Sequence, residues 1–154
     1  MMKEKSTTEL FNILGSTHPD DYQIFLQNNQ DSMSSKNTSF YNYIKDLIAH
    51  NQLTLQRVFL DADIPERYGY KLLSGEKHTS QRDTIIRICY AAKLTVDETQ
   101  RALKKYGMRE LYAKDTRDAL LILMFQNRPG RISDINRMLK ENAQEELRPC
   151  GTTE

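Results

Sequence analysis

The sequence predicts an all-α protein. Apolar residues recur at intervals of three and four along most of the chain, and residues that favour helix N-termini precede many of these stretches. No stretch alternates apolar and polar residues between turn dipeptides, which would be typical of strands. With 154 residues, of which 38% are hydrophobic and 28% charged, the chain is expected to be soluble and to form one domain, or a small domain with extensions.

Two short helices are predicted at the start of the chain. One ends at Gly15, and the other begins near Pro19, where two acidic residues favour the positive end of the helix dipole. Residues 27–39 are polar and without periodicity, so we interpret them as a linker. Residues 1–38 contain three Lys/Arg and five Asp/Glu, and we predict that they form a mildly acidic appendage with a linker.

Residues 53–75 predict two short helices joined by a tight turn. Pro65 suits the first position of the second helix, because its missing N–H would have no partner there. Gly75 can adopt the left-handed conformation that ends many helices. The first helix should bury Leu55, Val58, Phe59 and Ala62, and the second should turn Ile64, Tyr68 and Leu72 inward.

Three more helices are predicted around this pair, within residues 39–107. One begins at Phe40, with Thr38 or Ser39 as its cap. Two follow the pair, each opened by a pattern that resembles a capping box: Ser80 with Asp83, and Thr95 with Glu98. Their buried stripes are expected to contain Ile85, Ile88, Cys89, Ala92, Thr99, Ala102, Leu103 and Tyr106.

Residues 108–154 are predicted to form a helical extension that packs on this domain, followed by a polar tail. Asp115 can cap a helix that reaches Asn127 and is apolar nearly all round, so that helix is expected to be buried. Ser133 can cap a last helix. The tail is polar from about Glu145.

Several classes of function find no support in the sequence. Cys89 lies on an apolar stripe and is expected to be a buried free thiol, whereas Cys150 is expected to be exposed. The three histidines, His18, His50 and His78, have no metal-ligand partners at suitable spacing, and no catalytic motif is present, so neither metal nor cofactor nor catalysis is predicted. No signal peptide is seen, and the apolar run 119–125 is far shorter than the roughly 20 residues that span a bilayer, which favours the cytoplasm.

Residues 40–106 resemble the phage-repressor type of helix-turn-helix domain, the Cro/XRE family of bacterial transcriptional regulators. The resemblance implies a five-helix phage-repressor-like helix-turn-helix domain over roughly residues 39–107, with additional N-terminal and C-terminal helices. It also implies sequence-specific binding to double-stranded DNA by a homodimer. The matching residues are Leu53, Thr54, Ile64, Leu72 and Gly75.

Four positions depart from the usual pattern of that family. Leu55 stands where Gln is usual, and Leu73 where Glu is usual. Asp63 stands in the turn where Gly is usual, although Asp tolerates a left-handed backbone better than most residues. Gly69 stands where Ile or Val is usually buried, and Tyr68 is expected to fill the space. The fold is still expected.

By this resemblance, the outward face of the second helix would enter the major groove. Arginine suits the O6 and N7 acceptors of guanine, and glutamate can accept a hydrogen bond from cytosine N4. The alternative is an ordinary solvated helix face. The base-reading candidates are Glu66, Arg67, Tyr70 and Lys71.

Phosphate contacts are expected around this face. Residues 77–82 lead into a helix N-terminus, which is a natural seat for phosphate. The alternative is an ordinary charged loop. The phosphate candidates are Gln56, Arg57, Ser74, Lys77, His78, Thr79, Ser80, Gln81 and Arg82.

A non-catalytic adaptor that uses a helix-turn-helix fold to bind protein is the second class that the sequence leaves open. The net charge is only +1, although residues 39–106 hold eleven Lys/Arg against eight Asp/Glu. Glu66 on the candidate reading face would repel phosphate. The flanking helices could hold a protein partner.

Overall fold

Every regular element in the described part of the chain, residues 5–29, 39–128 and 130–150 of a computed structural model, is helical. The predicted all-α class is therefore confirmed. The chain divides into two compact units, Met1–Thr38 and Ser39–Glu154. Most of the predicted linker, residues 30–38, lies outside the described residues, as does Thr38 as a possible helix cap.

The N-terminal unit contains α1 (Thr7–Gly15), a 3-10 turn (Pro19–Asp21) and α2 (Tyr22–Asn28). The side chain of Ser6 caps α1 by accepting a hydrogen bond from the amide of Glu9, at 3.1 Å. Both predicted helices are thus present. Among the described residues of this unit, Phe25 and Asn29 are buried.

The larger unit is organised around one buried helix. Its helices are α3 (Phe40–His50), α4 (Leu55–Ala62), α5 (Glu66–Ser74), α6 (Arg82–Ala91), α7 (Val96–Lys105), α8 (Thr116–Asn127) and α9 (Ile132–Glu141). Eight of the ten residues of α6 are buried, and α6 packs against α4, α7 and α9. No helix among those described has the length and apolar character needed to cross a membrane.

The predicted buried stripes of α6 and α7 are confirmed at every position, including Cys89. Burial raises the pKa of the Cys89 thiol to about 12, so the thiol stays protonated and behaves as a small apolar group. Cys150 is half-buried rather than exposed as expected. The expected burial of α8 is confirmed in part, because Leu121 and Phe125 are buried while Leu123 is 53% exposed.

Three predicted N-terminal caps are confirmed, at Ser39, Thr95 and Asp115. The hydroxyl of Ser39 accepts from the amide of Asn42 at 3.3 Å at the start of α3. The hydroxyl of Thr95 accepts from the amide of Glu98 at 3.1 Å, and the Glu98 carboxylate accepts from the amide of Thr95 at 2.9 Å, which completes a capping box. The carboxylate of Asp115 accepts from the amide of Asp118 at 2.9 Å at the start of α8.

Two other predicted caps are wrong, because α6 begins one residue later and α9 two residues earlier than expected. α6 begins at Arg82, so Ser80 lies before the capping position, which Gln81 occupies without a side-chain cap. α9 begins at Ile132, which places Ser133 inside the helix. The amide of Arg131 donates there to the carboxylate of Asp134, at 2.7 Å.

Ala143, just after α9, has a left-handed backbone with φ +58°. Its amide donates to the carbonyl of Lys140, and the next amide, of Gln144, donates to the carbonyl of Leu139, a pairing typical of a Schellman cap. Glycine is preferred at such a position because it has no Cβ to crowd the carbonyl.

We therefore expect Ala143→Gly to raise the free energy of unfolding by about 0.5–1 kcal/mol. Urea denaturation would show this as a higher midpoint with an unchanged m-value. Ala49→Gly is the matched control, because Ala49 lies exposed within α3 and the same change should lower stability there. Equal destabilisation by both variants would contradict the left-handed cap.

Candidate nucleic-acid interface

Three residues, Asp63, Ile64 and Pro65, connect α4 to α5. Asp63 adopts the left-handed conformation with φ +57°, so it takes the backbone geometry for which glycine is usual. The amide of Ile64 donates to the carbonyl of Phe59 at 2.9 Å, and the Ile64 side chain is only 5% exposed. The turn is therefore anchored to the core by its middle residue.

The inner faces of α4 and α5 meet at Gly69. A Cβ added to Gly69 would lie 2.5 Å from Cδ1 of Phe59, which is too close without a shift of the ring. The expectation that Tyr68 fills this space was wrong, because the fully buried ring of Phe59 occupies it and Tyr68 is only half-buried. Glycine thus allows α4 and α5 to approach closely.

The outer face of α5 is defined here as Glu66, Arg67, Tyr70, Lys71 and Ser74. Four of these residues are exposed and Lys71 is half-buried. The ring of Tyr70 packs edge-on against the buried ring of Phe59, with centroids 5.2 Å apart, yet remains 44% exposed. Neither Arg67 nor Lys71 forms an ion pair with any described residue. Their charges are available to a ligand.

Two phosphate candidates lie in the first turn of α4. Gln56 and Arg57 are both exposed. Nε of Arg57 donates to Oδ2 of Asp61 at 3.1 Å, an exposed ion pair between residues four apart. Such a pair contributes only about 0.3–0.5 kcal/mol, so a phosphate could replace the carboxylate at little cost.

The loop between α5 and α6 is held by its backbone and presents two basic side chains, Lys77 and His78, to solvent. The amide of Lys77 donates to the carbonyl of Lys71 at 3.0 Å, which keeps Lys77 beside the last turn of α5. The imidazole of His78 stacks on the ring of Tyr106 with centroids 4.4 Å apart. The amide of Thr79 donates to the Tyr106 hydroxyl at 2.9 Å, and Thr79 is fully buried.

Two of the remaining phosphate candidates, Ser74 and Gln81, lie at helix ends. Ser80 is exposed, whereas Gln81 is half-buried at the N-cap of α6. The hydroxyl of Ser74 donates to the carbonyl of Lys71 and accepts from the amide of Glu76. Lys77 and His78 are therefore the basic side chains of the loop that are exposed to a ligand.

Arg82 is directed inward, where it meets a fully buried carboxylate. Its guanidinium forms two hydrogen bonds with Asp118 of α8, one of them 3.0 Å from Nη1 to Oδ2. The Arg82 side chain is only 12% exposed. This geometry does not favour the phosphate contact predicted for Arg82, and we leave Arg82 out of the proposed interface.

Asp118 accepts hydrogen bonds from several parts of the chain. Oδ2 also accepts from Nη1 of Arg109 at 3.3 Å and from the amide of Tyr112 at 3.0 Å. Burial alone would raise the pKa of Asp118. The hydrogen bonds from Arg82 and Tyr112, together with the positive charges of Arg82 and Arg109, outweigh it and lower that pKa below its ordinary value. Asp118 is therefore ionised at neutral pH, and it joins the start of α6 to the start of α8.

Sequence reasoning missed this network. The sequence does give a sign that Asp118 is buried, because Asp118 is the last charged residue before a long apolar run. It also lies three residues after Asp115, the N-cap of α8. Its partner Arg82 is 36 residues away, so no local pattern joins them. In the part of the chain that the structure describes, no group of three or more His, Cys, Asp or Glu side chains could hold a metal ion.

The candidate interface therefore consists of the outer face of α5 and the exposed basic residues Lys77 and His78, with Gln56, Arg57 and Ser80 as further polar candidates. Its inner support is the contact between Gly69 and Phe59. Among known proteins, no family model matches the chain, and no curated protein or solved structure gives a significant match.

Proposed function

We propose that this protein is a sequence-specific, DNA-binding transcriptional regulator of the Cro/XRE helix-turn-helix type, with α5 as its recognition helix. The outer face of α5 carries the proposal. It presents a charged and polar stripe on one side of a helix whose other side is buried through Gly69, Leu72 and Leu73. A helix exposed along one face in this way suits the major groove of double-stranded DNA.

The residues divide into two roles under this proposal. Arg67 and Lys71 read base edges, since their charged groups form no ion pair with described residues and suit guanine O6 and N7. Glu66 accepts from cytosine and discourages contact with phosphate. Lys77 and His78 contact the phosphate backbone, which fixes the orientation of α5 without reading sequence.

We also propose that the protein acts as a homodimer in the cytoplasm, without a cofactor. One recognition helix contacts only a few base pairs, so helix-turn-helix proteins of this type place two copies on half-sites about 34–36 Å apart. The uncharged, half-buried residues of α8 around the exposed Leu123 are available for contact between two copies.

A protein-binding adaptor is the second candidate, and two observations favour it. Leu60 of α4 is 68% exposed and Tyr70 of α5 is 44% exposed, so both helices of the pair carry apolar surface that a protein partner could cover. The inward position of Arg82 also leaves the candidate interface less basic than the sequence suggested.

Selection from random DNA duplexes is expected to enrich one motif with the full-length protein. Arg67→Ala should weaken binding to that motif by about 1–3 kcal/mol and relax the choice of base at one position, because a bidentate contact to guanine is lost. Glu66→Gln should raise non-specific binding and blur the choice of sequence, because a repulsion from phosphate is removed.

Lys77→Ala is the matched control, since it also removes one exposed positive charge. It should weaken binding to all sequences alike and reduce the salt dependence by about one phosphate. Circular dichroism should first show that each variant is folded. If the wild type enriches no sequence, or if all variants enrich the same motif equally, α5 does not read DNA and the adaptor becomes the better proposal.

A further inference from the structure

We name residues 145–150, which come after α9, the C-terminal strap. Residues 145–149 form no helix. Side chains of the folded unit bind the strap through its main chain. Arg117 donates to the carbonyls of Glu145 and Glu146 at 3.0 and 3.2 Å. The side chain of Leu147, only 2% exposed, joins the hydrophobic core.

Two amides of the strap form further hydrogen bonds with the folded unit. The amide of Leu147 donates to Oδ1 of Asn136 in α9 at 2.8 Å, and the amide of Arg148 donates to Oδ2 of Asp83 in α6 at 2.9 Å. Asp83 is itself paired with Arg117 of α8 at 2.9 Å. The strap thus lies in a groove lined by side chains of α6, α8 and α9.

Arg87 of α6 lies beneath the strap and is only 3% exposed. Its Nε donates to the carbonyl of Arg148 at 2.8 Å, and its Nη2 donates to the carbonyl of Leu147 at 3.0 Å. Its Nη1 donates in the opposite direction, to the carbonyl of Ala62 at 3.1 Å. One buried guanidinium therefore joins the strap to the last residue of α4.

Ala62 is the residue from which the turn between α4 and α5 departs. The last carbonyls of a helix lack partners within the helix and carry the negative end of its dipole, so a buried guanidinium is a suitable partner for one of them. In the part of the chain that the structure describes, the guanidinium of Arg87 donates to carbonyls and to no carboxylate, while the charges of Asp63 and Asp83 favour its ionised form. Its burial is therefore offset mainly by the three carbonyls, two of which belong to the strap.

We infer that Arg87 is a positioning residue for the turn between α4 and α5, and that the C-terminal strap controls this role by occupying its groove. When the strap leaves, Arg87 loses two of its three carbonyl partners and becomes exposed to water. Its remaining hydrogen bond, to the carbonyl of Ala62, then competes with water and holds the end of α4 less firmly. The consequence for DNA recognition rests on the proposed function, whereas the coupling between strap and turn does not.

Native-state hydrogen exchange of the full-length protein tests the coupling without DNA. The reporters are the amides of Asp63 and Ile64, which are bonded to the carbonyls of Leu60 and Phe59. Leu147→Ala removes the side chain that anchors the strap and changes no residue of the turn. We expect it to lower the protection of both reporters about tenfold more than that of buried amides in α6, because the turn opens locally.

Two further variants separate positioning from general stability. Arg87→Lys retains the positive charge but cannot span three carbonyls, so it should loosen the same two reporters. Leu103→Ala removes a fully buried side chain in α7, outside the strap, and should lower the protection of the reporters and of α6 in equal proportion. If Leu147→Ala and Leu103→Ala give the same pattern, the inference is wrong.

Binding assays then connect the coupling to DNA. If the wild type selects a DNA motif, Leu147→Ala should lose more affinity for that motif than for random duplexes, because a loosened turn misplaces α5. An equal loss for both would overturn the regulatory part of the inference. If the reporters respond as expected while the wild type selects no motif, the coupling is supported and only the proposed function fails.

Discussion

Replacing Asp118 by alanine is expected to lower the free energy of unfolding by about 3–5 kcal/mol. The carboxylate is fully buried and accepts hydrogen bonds from the side chains of Arg82 and Arg109 and from the amide of Tyr112. Its removal leaves the largely buried guanidinium of Arg82 without a counter-charge. The cost of that unpaired charge dominates the expected effect.

Urea denaturation of the full-length protein would measure this loss as a lower midpoint with an unchanged m-value. Asp46→Ala is the matched control, because Asp46 is exposed on α3 and the same change should alter stability by no more than about 0.5 kcal/mol. Asp118→Asn should lie between the two, since it retains an acceptor but loses the charge. A loss for Asp118→Ala no larger than that of the control would show that the network does not stabilise the fold.

Much of the fold follows from local patterns in the chain. The inner faces of α4 and α5 were predicted from helical spacing, and the turn between them from the tolerance of Asp63 for a left-handed backbone, because these properties depend on neighbours within a few residues. Four of the five outer-face residues of α5 are exposed for the same reason. Burial of one stripe leaves the opposite stripe to solvent.

Contacts between distant residues account for what sequence reasoning missed. Phe59 rather than Tyr68 fills the space at Gly69, which depends on how closely two helices approach. The inward position of Arg82 depends on Asp118, and the position of Arg87 depends on a strap 60 and 61 residues away. An arginine near a helix start looks the same in the sequence whether it faces a phosphate or a buried carboxylate.

Leu72→Ala is expected to lower the free energy of unfolding by about 2–5 kcal/mol, because Leu72 is fully buried on the inner side of α5 and its truncation leaves a cavity. Arg67→Ala is the matched control on the same helix, since Arg67 is exposed and its loss should leave stability within about 0.5 kcal/mol of wild type. Thermal and urea unfolding measure the stability of both variants. This pair separates the two faces of α5: the inner substitution should lower stability, and the outer one should alter DNA selection alone. An unchanged melting temperature for Leu72→Ala would mean that the assigned phase of α5 is wrong, and the residues assigned to its outer face would then have to change as well.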